Sequence, residues 1–144
     1  MKRIAALALC AGLLSLTAAA WAQGDAIAER KNGMKLMGGV TEAVKAAVDA
    51  GGPVTPLVPR IEQLLGEMRA IPSQFPPGSG TGDTRARDVI WSDHAGFLRA
   101  AENGAKAAEA LLAAAQSGDV AATRTALGQV GGTCGACHRA YRGR

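Results

Sequence analysis

The chain has 144 residues, a formal charge of +4, five aromatic side chains and three cysteines. Neither a basic stripe nor interleaved aromatics occur, which excludes nucleic-acid binding as the main function. Three cysteines cannot build a disulfide framework, so any fold must rest on an apolar core.

In chain order, Lys2 and Arg3 open a short positive region. The apolar stretch "IAALALCAGLLSLTAAA" follows, and "AWA" before Gln23 supplies Ala20 and Ala22 as the small residues of a cleavage site. The apolar run is short for a membrane span and leads into polar sequence, so residues 1–22 read as a cleaved export signal. Export of this kind places the mature protein in the periplasm, with no membrane span. Residues 23–144 then form one domain with 14 basic and 12 acidic side chains, and Cys10 leaves with the signal.

Alanine is abundant, β-branched residues are sparse and period-two alternation is absent, which favours helix. A first helix is predicted over roughly 25–50. Its seam is Ile27, Arg30, Met34, Met37, Thr41, Val44 and Val48, at steps of three and four, and "AGGPV" stops it. A second helix starts with Thr55 as N-cap and Pro56 in the first turn, with Leu57, Ile61, Leu64, Leu65, Met68 and Ile71 as its apolar face. "PSQFPPGSGTGDT" is too rich in proline and glycine for regular structure and is a long crossover loop. The third helix carries Val89, Ile90, Trp91, Phe97, Leu98, Ala101, Ala105, Ala108, Leu111 and Leu112, ending near Gly118. Asp119 caps the fourth, where Val120, Leu127, Val130, Cys134 and Tyr141 share a side. The expected fold class is all-α, an antiparallel four-helix bundle with one long connection.

The last helix ends in Cys134-Gly-Ala-Cys137-His138. Two thiols at this spacing suit the two vinyl groups of a haem, and the adjacent imidazole suits its iron. One covalent haem c is therefore the expected cofactor, with Cys134 and Cys137 as attachment points and His138 as proximal ligand. A thioredoxin-like motif would want a βαβ setting, and a structural zinc would want four ligands where His94 is the only other histidine.

What faces the iron from the far side decides function. Arg30 occupies a core-facing step of the first helix, where a guanidinium is costly unless paired. A haem propionate is the expected partner, the alternatives being Glu29, Glu67 or escape to solvent at the bundle end. Met34, one turn on, is the expected distal residue. Its thioether either binds the iron, giving a low-spin centre suited to electron transfer, or only fills space above a five-coordinate iron. Gly33 beside it is expected to relieve crowding against a porphyrin. Met37 and Met68 are expected in the core, and His94 is expected to be partly exposed.

These residues carry a family resemblance. "RKNGMKLMGG", "FPPGSGTGDTRARDVIWSD" and "CGACHRAYR", spread over the mature chain, resemble class II c-type cytochromes, the group of cytochrome c′ and cytochrome c-556. The resemblance implies a left-twisted antiparallel bundle with haem near one end. It implies Arg30 at a propionate and Met34 at the distal position. Arg142 would flank the proximal imidazole, and Trp91 would be a packing residue. It also implies a possible homodimer through the first two helices, where Gly38, Ala46 and Ala47 would permit close packing.

Two functions follow. The first is a periplasmic electron carrier with His138 and Met34 on the iron, for which Arg139, Arg142 and Arg144 could steer acidic redox partners whose identity the sequence does not give. The alternative is a five-coordinate gas-binding protein, taking nitric oxide or carbon monoxide, with Met34 not ligating. No nucleophile–base pair or carboxylate dyad occurs, so no enzyme is expected.

Overall fold

The structure is a computed structural model in which the backbone is described from Lys2 and side chains from Ala26. The expected signal, residues 1–22, lies outside the residues whose side chains are described. The elements are α1 (Lys2–Asp49), a 3-10 turn (Thr55–Leu57), α2 (Val58–Ala70), a 3-10 turn (Ile71–Gln74), α3 (Val89–Ser92), α4 (His94–Ser117) and α5 (Val120–Tyr141). Among the described residues there is no strand, only an isolated antiparallel bridge between Ala86 and Arg142.

The four long helices close on one another because each carries an apolar stripe. α4 packs on α2 and α5, and α1 packs on the same two partners. Val44 and Val48 of α1, Ile61 and Leu64 of α2, Ala108 and Leu111 of α4 and Val130 of α5 are all at most 1% exposed. Each of the larger ones contributes roughly 1.5–3 kcal/mol by leaving water. Ala101, Ala108 and Ala115 make one side of α4 a row of small buried residues, which lets its neighbours approach closely. The α4–α5 corner is tight. Gly118 takes the left-handed φ of 74° that ends α4, and Asp119 accepts a hydrogen bond from the Ala122 amide at 2.9 Å to start α5.

Several local expectations change. Thr55 does not cap α2: it opens the 3-10 turn, its side chain makes no capping bond, and α2 begins at Val58. Pro56 sits in that turn, where its missing N–H costs nothing. The expected third helix is broken at Asp93, whose backbone (φ −117°, ψ 56°) leaves the helical region so that its carboxylate can accept from the Gly96 amide at 3.1 Å. Leu98, expected on the apolar face, is 40% exposed, while Val40, Thr123 and Ala126 join the core instead.

The crossover loop is not free chain. The Trp91 indole N–H points at the Phe75 and Pro76 carbonyls, 3.2 Å from each, so Trp91 is a packing residue that braces the loop. Farther along, the Arg87 amide donates to the Tyr141 carbonyl at 3.0 Å and the Gly143 amide to the Arg85 carbonyl at 2.7 Å. The loop is thus pinned to the end of α5. Among the described residues no helix is long and apolar enough to cross a membrane.

Candidate cofactor slot

The final turns of α5 bring Cys134, Cys137 and His138 to the wall of an elongated hollow. Both cysteines are free and half-buried. Burial pushes both thiols above the usual cysteine range, and for Cys137 the neighbouring Cys134 adds to the effect. The His138 imidazole is held below its ordinary range, first by partial desolvation and then by the charge of Arg142. Its neutral form is the one that binds metals.

Two cavities, of about 500 and 210 Å³, share Met34, Ile71, Cys137 and His138 as lining. They are two lobes of one slot, with Met34 of α1 and His138 of α5 both at their junction. The larger lobe opens between α1, the loop and the end of α5. Phe97 forms its aromatic floor, edge-on to Phe75 at 5.0 Å and to Tyr141 at 5.4 Å between centroids. The smaller lobe is lined by Met37, Met68, Ala101 and Gly104, with Cys134 at its α5 side.

Arg30 is buried, at 4% exposure, and lines the larger lobe. It neither escapes to solvent nor pairs with Glu29 or Glu67. Its guanidinium donates to Ser79 Oγ (3.0 Å), the Ser79 carbonyl (2.7 Å) and Thr84 Oγ1 (2.5 Å), and lies 4.7 Å from the centroid of the Phe75 ring. These bonds use three of five N–H groups. The loop partners were missed in the sequence because Ser79 and Thr84 lie 49 and 54 residues away in an aperiodic stretch.

Gly33 serves a different neighbour from the one expected. A side chain there would run into the Glu67 carboxylate and Gln74 of the α2 end, and Gly33 lines neither lobe. Met34 is half-buried and lines both lobes, while Met37 and Met68 are buried core residues that reach only the smaller one. His94 is exposed, near the Ile90 carbonyl at 3.4 Å, and lines neither lobe. Arg142 lines the larger lobe beside His138.

Among the described residues no group of three or more His, Cys, Asp and Glu side chains could hold a metal ion by itself. Two half-buried thiols, an adjacent imidazole, an apolar two-lobed slot and cations at its mouth fit a metal carried in a flat, apolar, anionic-edged macrocycle. A helical bundle with such a slot beside a Cys-x-x-Cys-His is a c-type cytochrome of the helical class.

The comparisons narrow this to a family. The family model described as Cytochrome C' matches residues 25–142. A cytochrome c' of Pararhodospirillum photometricum is 36% identical over 115 residues, covering 78% of this chain and 92% of that protein. A cytochrome c-556 of Agrobacterium tumefaciens is 40% identical over 104 residues, 70% of each chain. Among solved structures, the nitric oxide complex of a mutant cytochrome c prime from Alcaligenes xylosoxidans superposes with a TM-score of 0.78 at 31% identity, covering 85% of this chain and 96% of that one. A carbon-monoxide-bound variant of the same protein also has a TM-score of 0.78 at 31% identity, covering 85% and 97%. The chain belongs to the cytochrome c' family, whose cofactor is one covalently attached c-type haem.

Proposed function

We propose that this chain is a periplasmic cytochrome c'-type protein that takes nitric oxide or carbon monoxide on the Met34 side of its haem. Cys134 and Cys137 would hold the macrocycle through thioethers, His138 would be the proximal ligand, and the two free N–H groups of Arg30 would reach a propionate. When bound, the haem supplies an iron able to accept a diatomic ligand. Met34 would stand over that position without ligating.

The observation that carries this reading is the lack of free side-chain hydrogen-bond donors on the α1–α2 wall of the smaller lobe. That wall offers Met34, Met37, Met68 and Ile71. Its one polar side chain, Thr41, donates its hydroxyl to the Gly38 carbonyl at 2.8 Å, while Arg30, Lys31 and Lys35 line only the larger lobe. Polarity and donors on the distal side decide what a haem iron does. A donor-free wall gives no stabilisation to a charged bound ligand and suits neutral nitric oxide or carbon monoxide.

A second reading, electron transfer with Met34 on the iron, draws on Met34 lying where both lobes meet, together with His138. Absorption spectra of the haem-loaded protein separate the two. A broad reduced Soret band, carbon monoxide uptake, and an unchanged spin state in Met34→Ala are expected. Sharp, split visible bands in the reduced state, with a weak far-red ferric band, would put Met34 on the iron and favour the carrier.

Export rests on Lys2, Arg3, the apolar run and the cleavage site after Ala22, and the family match beginning at residue 25 supports that boundary. A homodimer through α1 and α2 remains part of the proposal, since Gly38 and Ala46 are exposed on α1. Sedimentation of the haem-loaded protein checks it, with a monomer at micromolar concentration counting against it.

A further inference from the structure

We infer that the mouth of the slot is a docking surface for a partner protein that presents an acidic face. Three separate pieces of chain build it. Arg85 and Arg87 come from the loop, Arg139, Arg142 and Arg144 from the end of α5 and beyond, and Lys35 from α1. All six are exposed. Among the described residues none of the six makes an ion pair, whereas Lys31 at the same mouth is answered by Asp83 at 2.5 Å.

The loop cations and the α5 cations are brought together by backbone, not by chance packing. The Ala86–Arg142 bridge, with the Arg87 amide on the Tyr141 carbonyl and the Gly143 amide on the Arg85 carbonyl, holds the two segments antiparallel. The Arg87 side chain adds a bond to the Ala140 carbonyl at 2.7 Å. Like charges are thereby held side by side against their own repulsion, where the larger lobe meets solvent. Arg85, Arg142 and Lys35 line that opening directly.

The rest of the surface shows the asymmetry. Residues 23–144 carry 14 basic and 12 acidic side chains. Asp88 is the one unpaired carboxylate in the clustered segments, so these six cations leave an excess of acid over the remaining surface. A molecule polarised in this way is oriented by the field of a charged partner before contact, mouth first. Two propionates at the mouth would lower the excess without reversing it.

Protein is favoured over lipid or nucleic acid by what accompanies the charge. Leu98 is the only large apolar side chain exposed among the described residues, so nothing at the mouth would insert into a bilayer. Tyr141, the tyrosine among the arginines, is half-buried edge-on to Phe97, and among the described residues no Phe, Trp or Tyr is exposed there to stack on bases.

The test titrates the haem-loaded protein with poly-L-glutamate by calorimetry, at ionic strengths of about 10 and 150 mM. The natural protein is expected to bind saturably and to weaken as salt rises. The double variant Arg85→Glu/Arg144→Glu is expected to lose about tenfold or more in affinity. Arg60→Glu, on the α2 surface away from the mouth, should change it less than twofold. Equal loss in Arg60→Glu and in a single Arg85→Glu would mean that net charge alone attracts the polymer, and the docking surface falls. No binding, or binding to phosphatidylglycerol vesicles in preference to the polymer, would also overturn it. Neither outcome touches the gas-binding reading, which is measured at the haem.

Discussion

Replacing Arg30 by leucine removes a buried cation from a site where it holds the loop to α1. The guanidinium makes three hydrogen bonds there, two to Ser79 and one to Thr84. Bonds to a charged group contribute about 1.5–3 kcal/mol each, but taking a guanidinium out of water costs several kcal/mol in return. What the leucine variant leaves behind decides the net. Ser79 Oγ keeps its bond to the Pro76 carbonyl at 2.9 Å, and Thr84 Oγ1 still accepts from the Ala86 amide at 3.0 Å. The Ser79 carbonyl, on a residue with 0% exposure, loses its donor, at a cost of about 1–3 kcal/mol. Loss of the stacking on Phe75 adds about 0.5–1 kcal/mol. The expected destabilisation is about 2–3 kcal/mol, read as a lower urea midpoint, with faster amide exchange over residues 78–84. Arg30→Lys should fall between, since an ammonium keeps the charge and loses the fork. A leucine variant within about 0.5 kcal/mol of the natural protein, with unchanged exchange at Ser79, would refute the argument. The reduction potential is a separate reading: it should shift if Arg30 also meets a propionate, and a constant potential would count against that pairing.

Gly80→Ala should cost about 1–3 kcal/mol, because a Cβ there would lie 2.7 and 2.9 Å from two carbons of the rigid Trp91 ring; an unchanged urea midpoint would mean the loop yields instead. Leu111→Ala empties a fully buried position in the C-terminal half of α4 and should lower stability by about 2–5 kcal/mol, measured the same way. The Asp49 carboxyl is held below its ordinary 3.8 by hydrogen bonds from Lys45 and then Arg124. Its contribution is therefore present above the unfolded pKa and lost as pH falls through the folded one. Asp49→Asn should flatten the acid limb of the stability curve below about pH 5 and leave the slope near neutrality alone; an identical acid limb would contradict this. The double variant Cys134→Ala/Cys137→Ala should surrender its haem to acidified organic solvent, whereas the natural protein keeps it. Retention by the double variant would remove the thioether assignment.

How far the sequence could be read depended on how local each signal was. The Cys134–His138 motif is five consecutive residues, and a helix turn places Cys134 and His138 on one side whatever else the chain does. The seam of α1 and the apolar face of α2 were readable because a 3.6-residue period survives in the spacing of Ile61, Leu64, Leu65 and Met68. The break at Asp93 was not, because "IWSDHAGF" keeps its apolar period straight through the carboxylate that ends one helix and caps the next. Thr55 failed for the converse reason: a good capping residue beside a proline gave way to a 3-10 turn in which its side chain is not used.

Arg30 marks the limit most clearly. A charged residue on an apolar seam announces that something must answer it, and chemistry alone proposes an anionic ligand. The fold first supplies neutral oxygens from a loop whose register no period reveals. The same loop then delivers Arg85 and Arg87 to the end of α5, so that cations scattered through the sequence meet at one opening. Loop 75–88 thus does two jobs at once. Through Ser79 and Thr84 it fixes a buried charge against the slot, and through its bridge to Arg142 it builds the charged rim outside. A substitution that frees the loop from Arg30 should therefore loosen the rim as well. Arg30→Leu should weaken poly-L-glutamate binding even though Arg30 is itself out of the polymer's reach, and unimpaired binding in that variant would show the two attachments to be independent.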